Sequence, residues 1–177
     1  LGDVYKRQLD AMISELKKAK LISLDLESTS TDPMLAEIVG LSFSIRPDEG
    51  WYVPIRFPEK IGELYGSQDD LTTILEALSP LLEDPTYLKC GQNIKYDMVI
   101  LKRHGLLVNG VVFDTMIAAH LLRPESRSYK LDYLSEEHLR YSMQPISDLI
   151  GKGREQKVMD EVPLEDITFY AAEDADV

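Results

Sequence analysis

The run LISLDLESTSTD, residues 21–32, sets Asp25 and Glu27 into an otherwise apolar segment. Positions two apart in a strand share a face. The two carboxylates would then project together, with Ile22, Leu24 and Leu26 lining the opposite, core-facing side. Like charges ~4 Å apart repel by roughly 4 kcal/mol at an effective dielectric of about 20, a cost that water or a cation must offset. Two further constellations carry the same chemistry. Asn93 and Asp97 in GQNIKYD are four apart on one helix face, and so are Tyr170 and Asp174 in YAAEDAD. Together Asp25, Glu27, Asp97 and Asp174 would supply four negative charges, which two divalent cations would balance. Hard oxygen ligands suit Mg²⁺ or Mn²⁺, and two such ions roughly 3.5–4 Å apart are the arrangement for in-line attack on a phosphodiester. Asp and Glu make up 31 of the 177 residues, so one acidic pair alone signifies little. Surface salt bridging and helix capping stand as the competing readings.

The positioning elements follow from periodicity. Leu9, Met12, Ile13 and Leu16 recur with helical spacing, predicting a helix over residues 9–19 that ends in KKAK. A strand over 21–27 follows, then two β-rich runs, EIVGLSFSI and WYVPI, joined by the turn RPDEG. Three consecutive strands predict an antiparallel meander. Residues 69–83 have a helical pattern, with Pro80 as an interruption and Ser79 as the cap of a fresh turn. TYLKC is a short strand leading into a helix over 93–104, which closes with Lys102, Arg103 and His104 before Gly105. VVF is another strand, and Asp114 caps the helix TMIAAHLL. A helix spans Leu131–Leu139, SDLIGKGREQKVMDEV reads as a mobile loop, and LEDITFYAAEDADV reads as a helix without a stop signal. Strands first, then strands alternating with helices, predict an α/β domain with a mixed sheet.

Bulk properties narrow the function. A chain of 177 residues, 44% apolar and 28% charged, is ordinary for one globular domain. No apolar run approaches the roughly 18–20 residues of a membrane span, and no secretory signal is visible. Cys90 is the single cysteine, which rules out an internal disulfide and fits a reducing compartment; we read it as a small core residue. A net charge of −12 excludes a general electrostatic clamp on duplex DNA, so any nucleic acid must be handled locally. Residues 1–8, LGDVYKRQ, lack periodicity and read as an assembly remnant, leaving residues 9–177 as the domain, cut within its last helix. His104, His120 and His138 have no metal-site spacing and read as structural, Asp114 as a cap, and Asp176 as a solvated neighbour.

DLE after a strand, GQNIKYD and YAAEDAD together resemble the three exonuclease motifs of the DEDD superfamily. More narrowly, GLSFSI, YVPI, GQNIKYD, FDTM, GKG and YAAEDADV stand in the order of the 3′–5′ proofreading domains of bacterial family A (polymerase I type) DNA polymerases. The likeness covers residues 9–177, and the YxxxD form of the third motif implies the tyrosine subtype. It implies a ribonuclease H-like (DnaQ-like) α/β fold, a mixed central sheet of about five strands flanked by helices. It further implies that Asp25, Glu27 and Asp174 bind one metal, with Asp25 bridging to a second ion near Asp97. The ions would be Mg²⁺ or Mn²⁺, with Zn²⁺ an alternative at one site. Tyr170, helped by Glu27, would orient the attacking water and release a nucleoside 5′-monophosphate. Gln92, Asn93 and Tyr96 match positions lining the single-stranded 3′ end, with helix capping the other reading of the first two and packing that of Tyr96. Lys152 and Arg154 in GKGRE would steady phosphates, or lie in a merely solvated loop. The family often carries a leucine wedge shortly after the acidic pair. Here Ser28, Thr29, Ser30 and Thr31 stand there, with Met34 or Leu35 as substitutes.

The resemblance implies a bacterial, cytoplasmic, monomeric domain acting on a single-stranded DNA 3′ end, with a polymerase domain in the same parent chain. Two alternatives share much of the pattern. One is an RNA-trimming exonuclease of the ribonuclease D kind, against which GLSFSI…YVPI and GKG speak. The other is an inactive relic that scaffolds a polymerase, against which the complete acidic set speaks.

Overall fold

The computed structural model describes residues 3–58, 68–153 and 156–177. The described elements are, in order, α1 (Asp3–Leu16), β1 (Ile22–Ser28), β2 (Ile38–Arg46), β3 (Glu49–Pro54), α2 (Gln68–Leu82), β4 (Lys89–Gly91), α3 (Lys95–Arg103), β5 (Val111–Asp114), α4 (Thr115–Leu122), α5 (Leu131–Leu139), α6 (Ile146–Ile150), a 3₁₀ turn (Met159–Glu161) and α7 (Leu164–Asp176). The sheet runs β3-β2-β1-β4-β5. β1, β2 and β3 form the expected antiparallel meander, while β4 and β5 join in parallel. The mixed five-stranded sheet agrees with the sequence reading.

The sheet has two unlike faces. Ile22, Leu24 and Leu26 of β1, Leu41 and Phe43 of β2 and Val53 of β3 are buried on one, packed with Leu9, Met12, Ile13 and Leu16 of α1 and the leucines of α2. The other is built in three cross-strand rows by the register: Ser23, Ser44 and Gly50; Asp25, Ser42 and Tyr52; Glu27, Gly40 and Pro54. Small and polar residues let a helix settle close, and α7 lies across β1, β2 and β3. A Cβ on Gly50 would come within 2.8 Å of the Ala172 carbonyl of α7, so nothing larger than glycine fits there.

Four expectations change. α1 begins at Asp3, so residues 3–8, set apart in the sequence reading, extend the same helix. α2 runs through Pro80 instead of restarting there. The ring removes one helical N–H, but Leu78, Leu81 and Leu82 are fully buried around it, and burying each leucine is worth roughly 1.5–3 kcal/mol. The stretch 147–162, read as loop, contains most of α6 and the 3₁₀ turn, and buries Ile150, Met159 and Val162 with Val39 and Ile167 in a second cluster. Asn93 is not on the α3 face. Its φ of 54° is left-handed, the helix begins two residues later, and the predicted Asn93–Asp97 helical pair does not form. Among the described residues no helix is long and apolar enough to cross a membrane.

Candidate active site

Glu27 is buried at the end of β1, and Asp25 is half-buried one pleat earlier. A bulge after Glu27 breaks the register between β1 and β2, a device that re-aims side chains beside sites. α7 crosses above and presents Tyr170 and Asp174 one turn apart. The structure brings Asp25, Glu27 and Asp174 together: one carboxylate oxygen from each lies within 4.8 Å of the others. Asp97, nearly fully buried in the first turn of α3, faces the same charges.

Burial and crowding set the electrostatics. Burial raises the Asp25 carboxyl to about 6. Glu27 is pushed well above the usual carboxylate range, first by burial and then by Asp25 and Asp174. Asp97 rises well above its usual range through burial and then Asp25. Asp174 rises to about 8 through burial and Asp25, partly opposed by the hydrogen bond that Tyr170 O–H donates to it. The Tyr170 hydroxyl is held upward by burial and by Asp174 and Glu27, so it stays protonated at neutral pH. Glu27 Oε1 is buried without a hydrogen-bond partner. An orphaned, buried carboxylate oxygen among like charges costs free energy unless a cation is present. The donor set therefore fits a hard divalent ion, with Asp25, Glu27 and Asp174 able to hold it and Asp97 beside them.

The remaining expected residues are distributed more widely. A cleft of about 560 Å³ opens beside Glu27, lined by Ser28–Thr31, Asn93 and Tyr96 and by Ile146, Ile150 and residues 156–159. Tyr96 bonds Ser28 Oγ at 2.6 Å and donates to the Ser30 carbonyl, bracing the loop that follows β1. The Asn93 side chain accepts from Lys95. Gln92 turns the other way, donating to the Tyr129 carbonyl at 2.7 Å and accepting from Thr115. Met34 and Leu35, considered as wedges, are exposed and do not line the cleft. Lys152 is exposed, and Arg154 lies outside the described residues. Among the described lining residues Lys157 is the single Lys or Arg. Lys157 lies beyond GKGRE in sequence, and only the fold brings it to the cleft.

Two other buried carboxylates near the site have their oxygens occupied. Asp114 accepts from the backbone N–H of Asn93 (3.2 Å), Ile94 (3.0 Å) and Ile117 (3.1 Å), so it caps α4 as expected and also pins the start of α3. Glu173, not singled out in the sequence, accepts from Tyr141 Oη at 2.6 Å and Gln144 N at 2.8 Å, tying the chain after α5 to α7. Asp176, read as solvated, accepts from Ser44 Oγ and Asp48 N across the β2–β3 turn. The histidines form no metal cluster among the described residues.

A family model described as 3′–5′ exonuclease, of the DNA polymerase A type, matches residues 5–177. DNA polymerase I of Pseudomonas aeruginosa is 37% identical over 175 residues, covering 95% of this chain and 18% of that protein. The chain thus spans less than a fifth of the length of this and other curated DNA polymerase I relatives it matches. Among solved structures, the POL domain of Pol1 from M. smegmatis in complex with DNA primer-template and dNTP aligns with a TM-score of 0.59 at 25% identity, covering 77% of this chain and 22% of that one. The catalytic core of RRP6 from Trypanosoma brucei aligns with a TM-score of 0.67 at 18% identity, over 96% of this chain and 41% of that one, a likeness of fold.

Proposed function

This chain belongs to the 3′–5′ exonuclease family of the DNA polymerase A type, and on that premise we propose that it trims a single-stranded or frayed DNA 3′ end, releasing nucleoside 5′-monophosphates. We place the activity in proofreading within a polymerase I-like protein of the bacterial cytoplasm, as a monomeric unit of a longer chain. The observation that carries this reading is the orphaned Glu27 oxygen inside a cluster of three carboxylates at the mouth of a nucleotide-sized cleft.

Asp25, Glu27 and Asp174 would hold one divalent ion, and Asp25 with Asp97 a second. Bound ions of the Mg²⁺ or Mn²⁺ type, with Zn²⁺ an alternative at one site, supply a water of lowered pKa and offset charge on the leaving 3′ oxygen. Tyr170 keeps its proton, so its role is to orient the attacking water rather than to remove a proton from it. Glu27 helps to align that water from the β1 side. Ser28–Thr31, braced by Tyr96, form one wall for the terminal nucleotide, and Asn93 lies beside it. Lys157, which also lines the cleft, is placed to meet a phosphate, a local positive charge in a chain of net −12. Gln92 would stand next to Asn93 at the strand, its side chain held by the Tyr129 carbonyl and Thr115.

Timed digestion of 5′-labelled single-stranded DNA, mispaired duplex and RNA, with and without Mg²⁺, tests the proposal. Metal-dependent shortening from the 3′ end, faster on DNA than on RNA, is the expected result. Preference for RNA would move the assignment to an exoribonuclease, and absence of cleavage would leave a scaffolding relic.

A further inference from the structure

Among the described residues two buried side-chain atoms lack any hydrogen-bond partner, Glu27 Oε1 and Tyr52 Oη. One is a carboxylate acceptor and the other a hydroxyl donor. Register places them close. Glu27 pairs directly with Gly40, and Tyr52 lies on the next strand on the same face. A Cβ built on Gly40 would sit 2.3 Å from Tyr52 Cε2, Cζ and Oη. The phenol therefore lies across Gly40, and its hydroxyl occupies the spot where a side chain opposite Glu27 would begin. Directly paired Cβ atoms in antiparallel strands are about 4.5–5.5 Å apart, so the hydroxyl is within side-chain reach of the Glu27 carboxylate. Tyr52 also packs with Tyr170 against the cluster of Val39, Met159 and Ile167, which confines the ring.

We propose that Tyr52 is a positioning residue for Glu27: its O–H donates to the carboxylate in the working site and fixes the rotamer that Glu27 presents to a cation. Gly40 is glycine because the ring must cross it. The inference rests on the metal-site reading given under Proposed function. The Tyr52 hydroxyl keeps its proton, since burial and the nearby Glu27 charge push it upward. It acts as a donor and takes no part in proton transfer. Outer partners of this kind typically carry about 10–100-fold in metal affinity or activity.

The test is Tyr52→Phe, which keeps the ring and deletes the donor, with Mn²⁺ affinity measured calorimetrically beside exonuclease kinetics. The expected result is Mn²⁺ binding weakened about tenfold, kcat reduced in parallel, the oligonucleotide KM unchanged, and metal-free thermal unfolding unmoved. Gly40→Ala, which drives a methyl into the ring, should produce the same loss of affinity. Wild-type Mn²⁺ affinity and kcat in Tyr52→Phe would overturn the proposal. Failure of the wild-type chain itself to bind Mn²⁺ would overturn the metal-site reading beneath it, so the two failures are distinguishable.

Discussion

Asp114 and Glu27 are both buried carboxylates at the same end of one sheet, and their surroundings are opposite. Asp114 receives three backbone N–H groups and joins the starts of two helices. Glu27 has an oxygen with no partner, and its nearest charges are other carboxylates. Burial alone therefore does not mark a functional acid in this fold. A carboxylate whose lone pairs are filled by the chain is architecture, as Glu173 also shows with Tyr141 and Gln144. One with an oxygen left open, beside like charges, is free to accept a cation.

Substitution should separate the two kinds. The largest effect on chemistry is expected from Asp25→Ala combined with Glu27→Ala: cleavage of a 5′-labelled oligonucleotide should fall on the order of 10⁴-fold, about 5–6 kcal/mol of transition-state stabilisation. The fold should persist, and urea unfolding of the metal-free protein at about pH 8 should show equal or greater stability, because repulsion has been removed. Wild-type cleavage by the double variant would erase the distinction. Asp114→Ala should do the reverse, lowering unfolding free energy by about 2–4 kcal/mol as two helix starts lose their acceptor. Its residual activity should track the folded fraction, and an unchanged urea midpoint would show that Asp114 is not architectural. The smallest effect is expected from Tyr170→Phe, a slowing of roughly tenfold to a hundredfold, below the range of a lost general base. Mn²⁺ affinity should be retained; an unchanged turnover rate would reject the water-orienting role.

Much of this was readable in the sequence because the patterns were local. Alternation in Ile22, Leu24 and Leu26 gave the side on which Asp25 and Glu27 project, helical spacing joined Tyr170 to Asp174, and Asp114 before TMIAAHLL announced a cap. What failed depended on distant partners. Pro80 stays helical because Leu78, Leu81 and Leu82 are buried around it, a tertiary fact that overrides propensity. Asn93 takes a left-handed conformation at the strand-to-helix junction, which a four-residue spacing argument cannot see. Tyr52, Glu173 and Lys157 owe their places to register across the sheet, to packing of the chain after α5, and to residues 156–159 lying beside the β1 end. Gly40 was visible in the sequence, but its meaning required knowing that it pairs with Glu27.

Whether Asp25, Glu27 and Asp174 are open for a cation can be read from thermal unfolding between about pH 5 and pH 8 with and without Mn²⁺. These carboxyls are raised in the folded state, so the metal-free native protein holds more protons than the unfolded chain. Their contribution to stability is whole below the ordinary carboxylate range and is lost as pH rises through about 6 for Asp25 and about 8 for Asp174. The metal-free midpoint should fall across that interval, and recovery on adding Mn²⁺ should be largest at the alkaline end, worth roughly 2.7 kcal/mol at a hundredfold excess over Kd. Glu27→Gln should flatten the pH slope and remove most of the recovery. A midpoint indifferent to Mn²⁺ at every pH, or a recovery undiminished in Glu27→Gln, would contradict a cation site at these carboxylates.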